Sequence, residues 1–520
     1  MGARQQSSSS STTGGGAIPP AVRHPAHQLR RVLRGAGWAA AVALVIALHN
    51  GPAAGFGAGT GGVCEPSRAV LENGQGQNQP PSPGALIPCR YGIGADAGEP
   101  SFGFGRAGEI YYETWDLDGP NNPSGVVRSN LSRGRFADVS PPGLVTSFDP
   151  FLLVDPRTGR VFDTNFAGNG NFECETISFS DDRAAHWTTH ELCGVGFDGG
   201  SLGVGRPVYS HPTGYPNVVY YCASATLGSA PPATSPTCAK SLDGGSTFVP
   251  ITAPYPTEGN VHDEFAPWAG PPVVGPDGTV YVPKRHGGEP MIAFSHDEGT
   301  TWTRVQVSTI GSSSEQGRVA IDRSGNLYYS WQAANHMPYL ATSGDGGHTW
   351  SAPIALAPAG LTETALARVD VTPSGGTAAV VYLGSTNAPG VPPYATFCQE
   401  FLETCNDGEY ANATWNGYMT VVGNPKGGRP TLRTATVNRP EEPLFRGGCT
   451  PDGGCKANLD FLDVKFDREG NPWGAFVDDC ALVAEPGAPA LVLNPGYKRC
   501  EDGTGEGLLL QLRPAENGNA

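Results

Sequence analysis

The chain has no surplus of positive charge. It carries 33 basic and 49 acidic residues among 520, for a formal net charge of -16. That excludes nucleic acid as its main partner, because binding a phosphate backbone depends on clustered Lys and Arg. The same deficit removes any general attraction to acidic glycans, so an acidic sugar would need local arginines. Long apolar runs are scarce, and the run Gly35–Leu48 is nearer a signal-peptide core than a full membrane span, which needs roughly 20 residues. Neither Cys-x-x-Cys nor a Cys/His set with zinc-finger spacing occurs, which leaves no metal site of that kind. Beyond the apolar run there is no helix-length amphipathic stretch.

What is present is turns. The 73 glycines and 48 prolines are spread among alternating apolar runs, which suits a chain of short strands rather than disorder. One turn recurs: Ser343-Gly344-Asp345-Gly346-Gly347-His348-Thr349-Trp350, with near copies at Ser295–Trp302 and Ser241–Phe248. A worn fourth copy, Ser180–Trp187, has Ala184 and His186 in place of Gly and Thr. The shared form is Ser-x-Asp-x-Gly-x-Thr-aromatic. Its carboxylates, Asp182, Asp243, Asp297 and Asp345, suit the backbone N–H groups of a hairpin turn. Its Gly suits a conformation that a side chain penalises. Trp187, Phe248, Trp302 and Trp350 anchor the turns to the core.

A strand–turn–strand pattern precedes these turns at 149–162, 272–282 and 317–329. It recurs without a good Asp turn at 99–112, 206–221, 367–382 and 460–476. Repetition on this scale marks a repeat architecture. The fold class is therefore all-β, a β-propeller with about seven blades, or six if one unit is an edge or insertion.

The repeated turn resembles that of the Asp-box, or bacterial neuraminidase repeat, proteins, whose best-known members are sialidases. The resemblance covers most of the chain after about residue 95. It implies a sialidase-like propeller whose boxes sit on the outside of the blades, away from any substrate. The family includes non-sialidase hydrolases, lyases and non-catalytic propellers. In its sialidases a tyrosine assisted by a glutamate is the nucleophile and an aspartate is the acid/base. An arginine cluster holds the substrate carboxylate, a task that guanidinium geometry suits. An Arg-Ile-Pro signature precedes their first box. Here the nearest stretch is Leu86-Ile87-Pro88-Cys89-Arg90, with the order changed. Sialidases of the family have six blades.

The chain divides into a polar, basic-flanked segment 1–34, an apolar segment 35–58, a lead-in 59–95 and a propeller 96–520. Small residues after the apolar run fit a cleaved signal peptide, and a single uncleaved anchor is the alternative. Either makes the folded part extracellular, secreted or held at the cell membrane through that segment alone. All twelve cysteines follow the run, as disulfides require. Proximity suggests Cys64–Cys89, Cys174–Cys193, Cys222–Cys238, Cys398–Cys405, Cys449–Cys455 and Cys480–Cys500. The stretch Gly507–Leu512 reads as a last strand that closes the ring against the first blade. Loops at 223–237, 384–418 and 438–458 are where binding specificity would sit.

Residues entering the inner strands are Glu99, Asp149, Asp263, Glu264, Arg318, Glu363, Arg368 and Asp460. Glu99, Asp149 and Asp460 repeat in register before a Pro or Phe, which favours a structural role at the start of a strand. His262-Asp263-Glu264 is less repetitive and is a functional candidate. Asp263, Glu264, Arg318, Glu363 and Arg368 form the catalytic candidate set, with Arg433 as a third arginine and Tyr339, Tyr382, Tyr394 or Tyr418 as candidate tyrosines. No cofactor is implied, and a structural calcium held by carboxylates and carbonyls stays open. The acidic pairs Asp116/Asp118 and Asp478/Asp479 complete no known loop motif. Two functions remain: a binding propeller for glycan or protein, which the changed signature and the blade number favour, or a glycoside hydrolase or lyase of the sialidase type.

Overall fold

The computed structural model describes residues 63–65 and 85–515, apart from 116–123, 131–134, 145–146, 167, 169–173, 196–198, 225–235, 256–268, 314–315, 389–412, 440–441, 448–457, 459–460, 480–481, 485–492 and 499–504. These residues form eight antiparallel sheets, seven of them blades and the eighth a two-stranded pair of Leu482–Ala484 with Leu493–Lys498. Blade 1 is Phe102–Phe104, Ile110–Trp115, Ser124–Asn130 and Arg135–Asp138. Blade 2 is Phe148–Val154, Val161–Phe166, Cys174–Ser180 and Thr188–Cys193. Blade 3 is Ser201–Gly205, Val218–Ala223, Thr237–Ser241 and Val249–Pro250. Blade 4 is Val273–Val274, Val280–His286, Glu289–Ser295 and Thr303–Gln306. Blade 5 is Arg318–Ile321, Leu327–Gln332, Pro338–Ser343 and Ile354–Ala355. Blade 6 is Glu363–Val371, Thr377–Ser385, Thr414–Gly423 and Thr431–Thr436, with Phe445–Arg446 added to its third strand.

Blade 7 is made from both ends of the chain. Asp463–Phe466, Pro472–Asp478 and Gly505–Pro514 are followed outward by Leu86–Ala97 and Val63–Cys64. Leu86–Ala97, expected in the lead-in, is thus a long blade strand, paired with the last strand from Leu86↔Pro514 to Ala97↔Gly505. The stretch Gly507–Leu512 closes the ring by this pairing within blade 7, rather than by joining blade 1. The sequence hid this because Leu86–Ala97 has neither a preceding repeat nor a turn signal. Closure of this kind leaves no unpaired edge between first and last strand.

Second and third strands are buried on both faces because neighbouring blades cover both. Val218–Ala223 is buried at every position, whereas the fourth strand Thr188–Cys193 is mostly exposed. Each sheet buries its faces against the next: Phe162 and Ile177 of blade 2 meet Leu202 and Tyr221 of blade 3, and Phe294 of blade 4 meets Leu327 and Tyr329 of blade 5. Each such aromatic contributes about 1.5–3 kcal/mol by leaving water.

The first strands touch their neighbours in ring order and line the axis. Side chains tie this inner ring together. The Ser101 hydroxyl accepts from the Leu152 N–H, Asp149 from Gly199, Asp370 from Phe466 and Asp463 from Phe102, each bond joining one blade to the next. Asp149 therefore makes the structural bond expected of it. Glu99, at the same place in blade 1, is buried, and Asp460 lies outside the described residues.

The four Ser-x-Asp turns join third to fourth strands in blades 2 to 5. In three, the Asp accepts from the Ser hydroxyl at 2.7–2.8 Å and from the Thr N–H at 2.8–2.9 Å, while the Thr hydroxyl reaches its second oxygen at 2.6 Å. The Ser hydroxyl in turn accepts from the N–H of Gly245, Gly299 or Gly347, all at positive φ. The worn copy keeps the geometry. Ala184 takes φ 59°, and His186 places Nδ1 2.6 Å from Asp182, where the Thr hydroxyl would be. The aromatics Trp187, Phe248, Trp302 and Trp350 are half-buried against adjacent clusters.

Three of the expected disulfides are present: Cys64–Cys89, Cys174–Cys193 and Cys222–Cys238. Each joins residues directly opposite in neighbouring strands. The other three expected pairs lie outside the described residues. Among the described residues, no helix is long and apolar enough to cross a membrane.

Candidate functional site

First strands begin, and second strands end, on one face of the ring, here called the mouth. The hairpins described above lie on the other face. At the mouth, blades 5, 6 and 7 bring together five side chains. Arg318 opens the first strand of blade 5, with Gln316 two residues before it. Arg368 belongs to the first strand of blade 6, Phe461 and Asp463 to the start of blade 7.

Arg368 owes its position to a β-bulge. The pairing of Glu363–Val371 with Thr377–Ser385 slips between Ala365 and Arg368, and Leu366 sits at φ 59° within the slip. A bulge re-aims the side chains that follow it. A related slip lies in blade 2 between Phe148 and Phe151, with Asp149 at φ 49°.

Both arginines donate to one acceptor. Arg318 Nη2 lies 3.3 Å, and Arg368 Nη2 3.4 Å, from Gln316 Oε1. Two guanidinium groups therefore converge on a single neutral oxygen. Arg368 also donates to the Ala367 carbonyl at 3.1 Å and is buried. The Arg318 guanidinium lies 5.3 Å from the Phe461 ring centre, and its Nε has no hydrogen-bond partner among the described residues. Burial, and then the charge of Arg368, push the Arg318 guanidinium well below its ordinary range, with Asp463 opposing. Asp463 gives little relief, because its oxygens accept from Lys465 Nζ at 2.7 Å and from the Phe102 N–H at 3.2 Å. Among the described residues, Asp463 is the carboxylate whose charge acts on the Arg318 guanidinium. A bidentate anion would answer both forks at once.

Glu363 stands at the start of the same blade 6 strand. Its Oε1 lies 2.8 Å from Nδ1 of His336, which belongs to the connection between second and third strands of blade 5. Both are buried, and the Thr364 hydroxyl donates to the His336 carbonyl. Burial pushes the Glu363 carboxyl up, opposed by His336.

The other sequence candidates do not join this group. Arg433 is on the outermost of the four consecutive strands of blade 6, opposite Val421. Tyr382 is wholly buried, bonded to the Thr420 hydroxyl and stacked on Tyr418 at 5.5 Å. Tyr339 stacks on Trp331 at 5.7 Å. Asp263, Glu264, His262 and Tyr394 lie outside the described residues, as do Asp116 and Asp118. Asp478 and Asp479 are buried in blade 7. Gln316, Phe461 and His336 were missed, since nothing in an isolated Gln, Phe or His marks a site before neighbouring blades are placed.

No protein-family model matches the chain, and no curated protein matches it. Among solved structures it is similar to a protein of unknown function from Dyadobacter fermentans, at 16% identity and a TM-score of 0.37 over 66% of this chain and 95% of that one. It is also similar to the lectin of Aleuria aurantia, at 10% identity and 0.38 over 66% and 96%. A third is a variant of the NanB sialidase from Streptococcus pneumoniae, at 10% and 0.39 over 86% and 70%. Likeness at this level says nothing of activity, and the seven blades are read from the sheet order itself.

Proposed function

We propose that the protein is an exported sialidase-like propeller that binds an acidic saccharide at the mouth, and that its Ser-x-Asp turns are Asp-boxes serving blade architecture. The observation that carries the binding reading is the convergence of Arg318 and Arg368 on one neutral acceptor, with Phe461 beside them. A carboxylate or sulfate is the ligand group that suits two converging guanidinium forks, and the Phe461 ring suits the apolar face of a sugar. Export is supported by cross-strand disulfides and by the apolar segment before them. A second reading, acid-assisted cleavage of a glycan, is favoured by Glu363, whose raised affinity for a proton suits a general acid.

The test applies the secreted protein to a panel of sialosides, uronides, sulfated glycans and neutral counterparts. Binding and sugar release are both read, alongside an Arg318→Gln, Arg368→Gln double variant checked for native circular dichroism. The expected result is retention of acidic glycans without release. Each lost charged hydrogen bond is worth about 1.5–3 kcal/mol, so the double variant should bind at least about tenfold more weakly. Sialic acid release abolished by Glu363→Gln would establish the second reading. Equal retention of neutral and acidic glycans would overturn both.

A further inference from the structure

Between blades 1 and 2 lies a different charged feature, in which Glu113 and Asp163 face each other from the second strands of adjacent blades. Tyr111, Glu113 and Trp115 alternate on the side of Ile110–Trp115 that meets blade 2, and Asp163 and Asn165 alternate on the facing side of Val161–Phe166. Both carboxyls are fully buried. Asp163 Oδ2 accepts from the Asn165 amide at 2.8 Å, and the Asn165 oxygen is bonded by the Ser147 and Ser124 hydroxyls. Among the described residues, neither Glu113 oxygen nor Asp163 Oδ1 meets an N–H or O–H donor.

We propose that Glu113 and Asp163 share a proton in the folded protein, so that the contact between blades 1 and 2 is tightest in mild acid and loosens as that proton leaves.

Two carboxylates without a cation between them cannot both ionise in a dry interface. Among the described residues, the charged groups around them supply no cation. On the blade 1 side, Glu109 is tied to Arg183 at 2.8 Å and to the Tyr111 hydroxyl, toward the hairpin face. Arg128 donates to the Arg183 carbonyl. In blade 2, Asp149 and Glu175 are themselves acidic, and Arg160 is held by Asp181. No third carboxylate, histidine or cysteine completes a metal-binding group with the pair among the described residues. A proton is the remaining way to carry this charge. Burial, and then Asp163, push the Glu113 carboxyl well up. Burial also pushes Asp163 up. Folding therefore takes up a proton that the unfolded chain, with carboxyls near ~4, releases. The stabilisation is complete below that range and is lost as pH rises through the pair's own titration.

The experiment follows the thermal midpoint of the full secreted protein from pH 5 to 8, with Glu113→Gln and Asp163→Asn, each with and without EDTA. It also records the infrared carboxylic-acid band at pH 7. The expected wild-type midpoint falls more steeply with pH than that of Glu113→Gln, by at least about 2 °C over the range. The band should be present in wild type and reduced in either variant. A wild-type pH slope equal to that of both variants would overturn the proposal. So would a midpoint lowered by EDTA and restored by calcium in wild type alone, because a cation would then hold the pair. Should Glu113→Gln fail to fold, the band and the Asp163→Asn slope decide alone.

Discussion

At the scale of single residues, the worn turn in blade 2 shows which parts of the repeat matter. Ala184 accepts a left-handed backbone that costs an L-residue about 1–2 kcal/mol, and His186 Nδ1 takes the place of a Thr hydroxyl. Ala184→Gly should therefore raise stability by about 0.5 kcal/mol, since glycine's greater freedom when unfolded offsets part of the relief. Denaturant midpoints measure this, and a decrease would mean that the Ala184 methyl matters more for packing than its backbone strain. Asp243 is the complementary case. Burial pushes its carboxyl up, but the bonds from Thr247, Ser241 and Ser246 outweigh it and hold the group low. Asp243→Ala should cost about 1–2 kcal/mol at neutral pH. The difference from wild type should shrink as pH falls below the ordinary carboxylate range, because the stabilisation belongs to the ionised form. A difference independent of pH would remove the carboxylate from the explanation.

At the scale of elements, one turn fastens the loop of its neighbour. Glu298, inside the blade 4 turn and at φ 55°, accepts from the N–H groups of Val208, Tyr209 and Ser210 at 2.8–3.0 Å and from Lys240 Nζ at 3.0 Å. Burial pushes its carboxyl up, yet the Ser210 hydroxyl and those backbone donors hold it down to about 2. Glu298→Ala should leave the loop before Val218–Ala223 open to protease near Tyr209 while the remaining blades stay resistant. Unchanged resistance would show that the loop holds without the clamp.

The hairpins were legible because the bonds that make them are local: Ser, Asp, Gly and Thr lie within seven residues of one another. The mouth was only half legible. Arg318 and Arg368 stand out in apolar first strands, but Arg368 reaches Gln316 through a bulge in its own strand that no spacing announces. Glu113 and Asp163 were overlooked, although a lone acid inside Ile110–Trp115 or Val161–Phe166 is itself unusual. What pairs them is the contact between two blades, and the sequence of either strand carries no trace of the other.

At the scale of the whole molecule, the ring depends on strands from opposite ends of the chain. Gly505–Pro514 is held between Leu86–Ala97 and Pro472–Asp478, and Leu510 at its centre is fully buried. Leu510→Ala should cost about 2–5 kcal/mol. Protease should then cut within 86–97 before it cuts any other blade. Cleavage elsewhere first would mean that closure is not the weak point of the ring.

The same ring brings Arg318, Arg368 and Phe461 to one mouth from three blades, and the central claim is that this mouth receives an anion. The most direct measurement is a calorimetric titration of the tightest acidic saccharide from the panel against its carboxyl-reduced or desulfated counterpart, on wild type and on the Arg318→Gln, Arg368→Gln variant. The account predicts binding that weakens at least about tenfold both when the ligand loses its charge and when the protein loses its arginines, with no further loss when both are changed. Independent losses that simply multiply, or a variant that binds the acidic saccharide as wild type does, would contradict it.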